Sequence, residues 1–152
     1  MKKILSVLLF TLIYLCNGES VYACSCPSLP GVTREQEIRA IAKRSDNVVF
    51  TGEVISINDD TKSLDYRDIT FKVERFWNGE ITQEFTIRSD KLNSSCAVDF
   101  RIGTSYLVFA NLYENHLYTG ACSRNKEIAK AAEDLQYLGK GKIQIANKPK
   151  DR

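Results

Sequence analysis

The sequence predicts a mainly β domain with flanking helices, built as a five-stranded OB-fold barrel. Three observations carry that expectation. Five runs rich in β-branched and aromatic residues follow one another in meander order, each bounded by turn residues. A helical pattern precedes the first run and another follows the last. The stretch from Cys24 to Leu138 has the size of one domain. Short strands closed by a helix fit a small barrel of this type, with a two-sheet sandwich as the competing architecture.

The elements follow in chain order. Thr33 and Gln36 form a capping box, and Ile38, Ile41 and Ala42 come after it at helical spacing. They predict a helix over Arg34–Lys43, stopped by Ser45-Asp46-Asn47. NVVFTGEVISI, residues 47–57, is the first strand, with Gly52 as a bulge or bend. DDTKS is a turn. YRDITFKVERFW, residues 66–77, is the second strand, with Ile69, Phe71 and Val73 on one face and charged residues on the other. NGE after Trp77 is a hairpin signal. TQEFTIRS, residues 82–89, returns as the third strand. TSYLVFANL, residues 104–112, is the most apolar strand, and YEN turns it into HLYTGA. RNKEIAKAAEDLQYLG predicts a final amphipathic helix with Ile128, Ala131, Ala132, Leu135 and Leu138 as its apolar stripe and Gly139 as its stop. From Gly139 to Arg152 stand five basic residues and one Asp, which predicts a basic, disordered tail.

The first 23 residues read as a signal peptide. Lys2 and Lys3 give a positive start, and an apolar core of about a dozen residues follows. A membrane span would need roughly 20 apolar residues. Val21 and Ala23 suit the positions before a cleavage site, so Cys24 becomes the first mature residue and the chain is read as secreted, either periplasmic or extracellular. A lipobox also ends in cysteine, but Val21 and Tyr22 depart from its Leu and small-residue preferences. Only lipidation of Cys24 would place the protein at a membrane.

Cleavage removes Cys16 and leaves Cys24, Cys26, Cys96 and Cys122. An even set in an oxidising compartment reads as two disulfides. Of the three pairings, the one with a direct Cys24–Cys26 bridge closes too tight a ring. A thiolate metal site is disfavoured, because C-x-C lacks the usual C-x₂₋₄-C spacing and the lone His116 has no partner at a telling distance in sequence. Charge is near balance in the mature chain, which gives no argument for nucleic acid. No G-x-S-x-G, P-loop or H-E-x-x-H motif is present. Asp59, Asp60 and Asp65 read as a solvated turn. The chemistry therefore points to binding rather than catalysis, with no cofactor, in a monomer.

CSCPSLP at the mature start, SDNVVFTGEV, NSSC, GTSYLVFA and LYTGACS occur in an order that resembles the N-terminal, netrin-like domain of tissue inhibitors of metalloproteinases. The resemblance covers about Cys24 to Leu138, and the C-x-C joined to two later cysteines is its most specific part. Animal members carry a third bridge in this domain and a second, cysteine-rich domain, for which this chain has no cysteines. The segment after the C-x-C is also longer here. The resemblance implies an OB barrel with flanking helices and the pairs Cys24–Cys96 and Cys26–Cys122. It implies that the α-amino group and carbonyl of Cys24 chelate the catalytic zinc of a target metalloprotease. Ser25, Cys26 and Pro27 would complete the wedge, with Leu92, Asn93, Ser94 and Ser95 beside it. The alternative is a secreted netrin-like binding module whose partner is not a protease.

Overall fold

The computed structural model describes residues 24–27, 30–59, 63 and 65–144. Residues 1–23, which the sequence predicts to be a signal peptide, lie outside these residues, as do part of the DDTKS turn and the end of the tail. Helix α1 spans Arg34–Lys43, and strands β1 to β5 span Asn47–Asn58, Tyr66–Asn78, Glu84–Asp90, Ser105–Tyr113 and His116–Thr119. The short strand β6 (Lys126–Glu127), helix α2 (Ala132–Leu138) and the short strand β7 (Lys142–Ile143) follow.

The strands pair in the order β1-β2-β3-β5-β4, and β4 pairs back onto β1. The sheet is thus a closed five-stranded barrel of the expected OB-fold type. Closure needs one parallel contact, between β3 and β5, where Arg88 meets Tyr118 and Ser89 meets Thr119. It also needs the long β1 to bend. The β1–β2 register shifts between Thr51 and Gly52. A Cβ at Gly52 would lie 2.8 Å from the carbonyl oxygen of Lys72, so only glycine lets the two backbones approach there.

Strand alternation divides the apolar residues between two cores. Val48 and Phe50 of β1, Ile69, Phe71 and Val73 of β2, Ile87 of β3, and Tyr106, Val108 and Ala110 of β4 fill the barrel. Their rings meet edge to face: Phe50–Phe71 at 5.2 Å, Phe71–Phe100 at 5.4 Å and Phe100–Tyr106 at 4.9 Å. Such pairs add about 0.5–1.5 kcal/mol each beyond burial. The opposite parity, Val49, Leu107 and Phe109, faces outward onto Ile38 of α1 and Ala131, with Trp77, Leu135 and Leu138 packed around them.

Helix α1 begins where its capping box predicts. The Gln36 amide donates to the Thr33 hydroxyl at 3.3 Å, and the Thr33 amide donates to the Gln36 side chain at 2.9 Å. A cap of this kind contributes about 1 kcal/mol. At the other end, the Asn47 side chain donates to the Ile41 carbonyl at 3.0 Å.

Three expectations are corrected. The last helix starts at Ala132, not at the RNKE stretch, because Lys126–Glu127 pairs with Tyr106 and Leu107 on the edge of β4. Within it Ala132 is exposed, while Asp134 is fully buried between Arg34 (2.6 Å) and Lys126 (2.7 Å). The ordered domain also runs past Leu138. Ile143 and Lys142 pair with Arg75 and Phe76 of β2, the Gln144 amide donates to the Glu74 carbonyl at 3.0 Å, and Trp77 Nε1 donates to the Gly139 carbonyl at 2.9 Å. Finally, the charged residues of β2 are not all on its outer face. Arg67 shares the parity of Ile69 and is 2% exposed, inside one end of the barrel.

Candidate functional site: the N-terminal segment and its two bridged loops

Three stretches of chain converge at this end of the barrel. Cys24 is bonded to Cys96 in the β3–β4 loop, and Cys26 is bonded to Cys122 in the 3₁₀ turn Ala121–Ser123 that directly follows β5. These are the pairs that the resemblance implies. The Cα separations are 5.0 and 5.2 Å. The two bridges touch one another, with Cys24 Sγ 3.8 Å from Cys122 Sγ. Cys24 is half-buried, whereas Ser25, Cys26 and Pro27 are exposed. The sulfurs of Cys24, Cys26 and Cys122 lie within 4.8 Å of one another, but each is committed to a bridge and none is a thiolate.

Each bridged loop is braced by its own polar contacts. In the β3–β4 loop, Leu92 (59% exposed), Asn93 and Ser95 face solvent, and Ser94 is half-buried. Ser94 organises the turn. Its amide donates to the Lys91 carbonyl at 2.9 Å, and its hydroxyl accepts from the Cys96 amide at 3.2 Å and donates to Asp90 at 3.3 Å. Four residues from Ser94, the Val98 carbonyl accepts from Arg67 Nη2 at 2.6 Å. A buried guanidinium thus holds the far side of the loop that carries Cys96.

The second loop is tied to the first and to α1. The Ala121 amide donates to the Cys96 carbonyl at 2.9 Å. Asn125 works as a clamp: its Nδ2 donates to the Thr119 hydroxyl (2.7 Å) and the Gly120 carbonyl (3.2 Å), and its Oδ1 accepts from the Phe109 amide. Arg124 adopts a left-handed conformation and pairs with Glu37 of α1. Gly120 is required by space. A Cβ there would stand 2.7 Å from the Tyr118 hydroxyl and 3.4 Å from the Cys96 carbonyl oxygen.

Tyr118 is fixed in turn. Its hydroxyl is hydrogen-bonded to Asp90, and burial, then that carboxylate, push its phenol well above the usual tyrosine range. Asp90 therefore joins Tyr118 to Ser94 and links the β5 side of the site to the β3–β4 loop. On its other flank, Pro27 forms one wall of a cleft of about 450 Å³ with Ile41, Arg44, Asn47, Phe109 and Ser123.

The structure thus brings Cys24, Ser25, Cys26 and Pro27 together with Cys96 and Cys122, and places Leu92–Ser95 in the loop that Cys96 anchors. His116 lies apart from the bridges, exposed at the start of β5 opposite Tyr113. Asp59 and Asp65 are exposed. Sequence reasoning missed Arg67, Asp90, Tyr118, Gly120 and Asn125, which hold the loops. For Arg67 the signal was present, since its position two residues before Ile69 places it on the inner face. The chain matches no protein-family model and no curated protein. Among the described residues no helix is long and apolar enough to cross a membrane.

Proposed function

We propose that the protein is an exported inhibitor of zinc metalloendopeptidases, acting through a mature N-terminus at Cys24 as the resemblance to tissue inhibitors of metalloproteinases implies. One observation carries the reading: two adjacent bridges pin the Cys24–Pro27 segment, exposed from Ser25 onward, at both of its cysteines. A terminal segment held this way loses little conformational entropy when it enters a cleft. Removal of the leader after Ala23 would expose the Cys24 amine. That amine and the Cys24 carbonyl are spaced to chelate one metal ion and to displace the water that the protease zinc activates. The thiol plays no part in ligation, because it is spent in the bridge. Ser25 follows the chelating residue directly and would enter the pocket beside the zinc, where a short side chain avoids a clash. Leu92, Asn93, Ser94 and Ser95 would border the protease cleft.

The test compares the mature protein starting at Cys24 with a form extended by one Ala. The extension turns the amine into an amide and adds bulk at the zinc, while leaving both bridges and the barrel intact. Against a panel of zinc endopeptidases, the native form should inhibit and the extended form should not. Equal inhibition by both overturns chelation. No inhibition by either, with the bridges intact, favours a binding module with a non-protease partner.

A further inference from the structure

On the outer face of the barrel, next to the loop that Cys96 anchors, three tyrosines meet. Tyr66 opens β2, Tyr113 ends β4 and Tyr118 lies on β5. The Tyr118 ring stands between the other two. Its centroid is 5.9 Å from Tyr66 at an interplanar angle of 75°, and 6.0 Å from Tyr113 at 52°. The rings are therefore steeply inclined to one another, as the walls of a corner are. This differs from the ladder of Phe50, Phe71, Phe100 and Tyr106 inside the barrel, which is buried. Here Tyr113 is 49% exposed. It is also held in place, because the two residues after it, Glu114 and Asn115, take positive φ and close a tight hairpin onto His116.

The charge around the corner has one dominant sign. Asp90 is the direct ladder partner of Tyr66 and bonds the Tyr118 hydroxyl. The Asp65 carbonyl accepts from the Lys91 amide, which sets Asp65 immediately before Tyr66 at the same rim. Glu114 adjoins Tyr113. Of the basic side chains nearby, Arg88 is engaged with Asp68 at 3.6 Å, Lys91 stands in the adjoining loop and His116 faces Tyr113 across the hairpin. Electron-rich ring faces bordered by carboxylates attract a cation, and a planar guanidinium gains most, since it stacks on a ring while its edge bonds a carboxylate.

We propose that Tyr66, Tyr113 and Tyr118, bordered by Asp65, Asp90 and Glu114, form a receptor for an arginine side chain of a partner protein. The site does not depend on the inhibitor reading. It adjoins the N-terminal segment through the Asp90–Ser94 bond and the contact of Tyr118 with Gly120, so a partner seated there would also cover the bridged loops.

The probe is N-acetyl-arginine amide, titrated into the intact protein at fixed ionic strength while the tyrosine ring resonances are followed by NMR. N-acetyl-glutamine amide is the neutral control. The arginine compound should shift the signals of all three rings saturably. Tyr113→Ala should weaken binding about fivefold, the scale of an exposed cation–π contact, and Glu114→Gln should weaken it less. Both positions are exposed, so neither change threatens the fold. An equal response to N-acetyl-lysine amide would support the cation receptor and remove its preference for guanidinium. The proposal is overturned by the absence of a saturable shift, by an equal shift with the glutamine control, or by unchanged binding in Tyr113→Ala.

Discussion

Cys24 divides its work between atoms. Its sulfur fixes the segment to the β3–β4 loop, and its backbone is the part proposed to meet the zinc. That division gives a pH prediction. An α-amino group has an ordinary pKa of about 7.7–8.0, and only its neutral form donates to a metal. Below that range each unit of pH removes about nine-tenths of the remaining neutral amine. Inhibition should therefore weaken up to about tenfold per unit as the solution is acidified. The inhibition constant measured across neutral and mildly acidic pH, corrected for the protease's own titration, checks this, and a flat profile would reject amine ligation. Gly120 makes a second prediction at this scale. Gly120→Ala would drive a methyl group into the Tyr118 hydroxyl, which Asp90 holds in place. The expected cost is about 1–3 kcal/mol, read by urea unfolding, as for other overpacked sites. A loss below the error of the measurement would show that Tyr118 moves aside freely.

At the scale of elements, local signals were legible and lateral ones were not. Helix α1 lies where the sequence places it because the capping box and the apolar stripe are both contained within it. The strands were found for the same reason, since alternation is a property of each strand alone. The last helix was overextended because RNKE has good helical periodicity, but Lys126–Glu127 gains a β4 edge and Asn125 a clamp across two backbone groups and the Thr119 hydroxyl. The tail strand was missed because a two-residue pairing leaves no pattern in sequence. Its contribution is testable by truncation. A chain ending at Leu138 loses the Trp77 bond to Gly139 and the backbone pairing of residues 142–144. At about 0.5–1.5 kcal/mol net per hydrogen bond, it should be less stable by about 1–3 kcal/mol than a chain ending at Gln144. Indistinguishable unfolding midpoints would assign those contacts no net stability.

For the whole molecule, barrel closure and bridge placement put the residues of the candidate site on one end. Neither was visible in any single stretch. The β3–β5 contact joins residues about Arg88 to residues about Tyr118, and β1 closes onto β4 over a still longer span of chain. The N-terminal cysteines and their loops were legible, because the C-x-C pattern is itself a sequence feature. The tyrosine corner was not, since its three rings come from three strands. The barrel has its own packed core, so it should outlast the loss of one bridge. Replacing Cys26 and Cys122 together by Ser should cost about 2–4 kcal/mol in urea unfolding, with the far-ultraviolet circular dichroism of the barrel retained. Loss of that spectrum at room temperature would mean that the bridge is needed for the fold itself.

The 3.8 Å contact between Cys24 Sγ and Cys122 Sγ makes the two bridges one redox unit. Suppose a reductant opens Cys26–Cys122. The thiolate left on Cys122 has as its nearest electrophile the Cys24 sulfur of the surviving bridge. Attack there forms Cys24–Cys122 and expels Cys96 as thiolate, with the number of disulfides unchanged. Partial reduction should then yield exchanging isomers instead of one stable open form. The same proximity lets a mispaired Cys24–Cys122 intermediate, formed while the chain oxidises, correct itself as soon as Cys96 returns as the attacking thiolate.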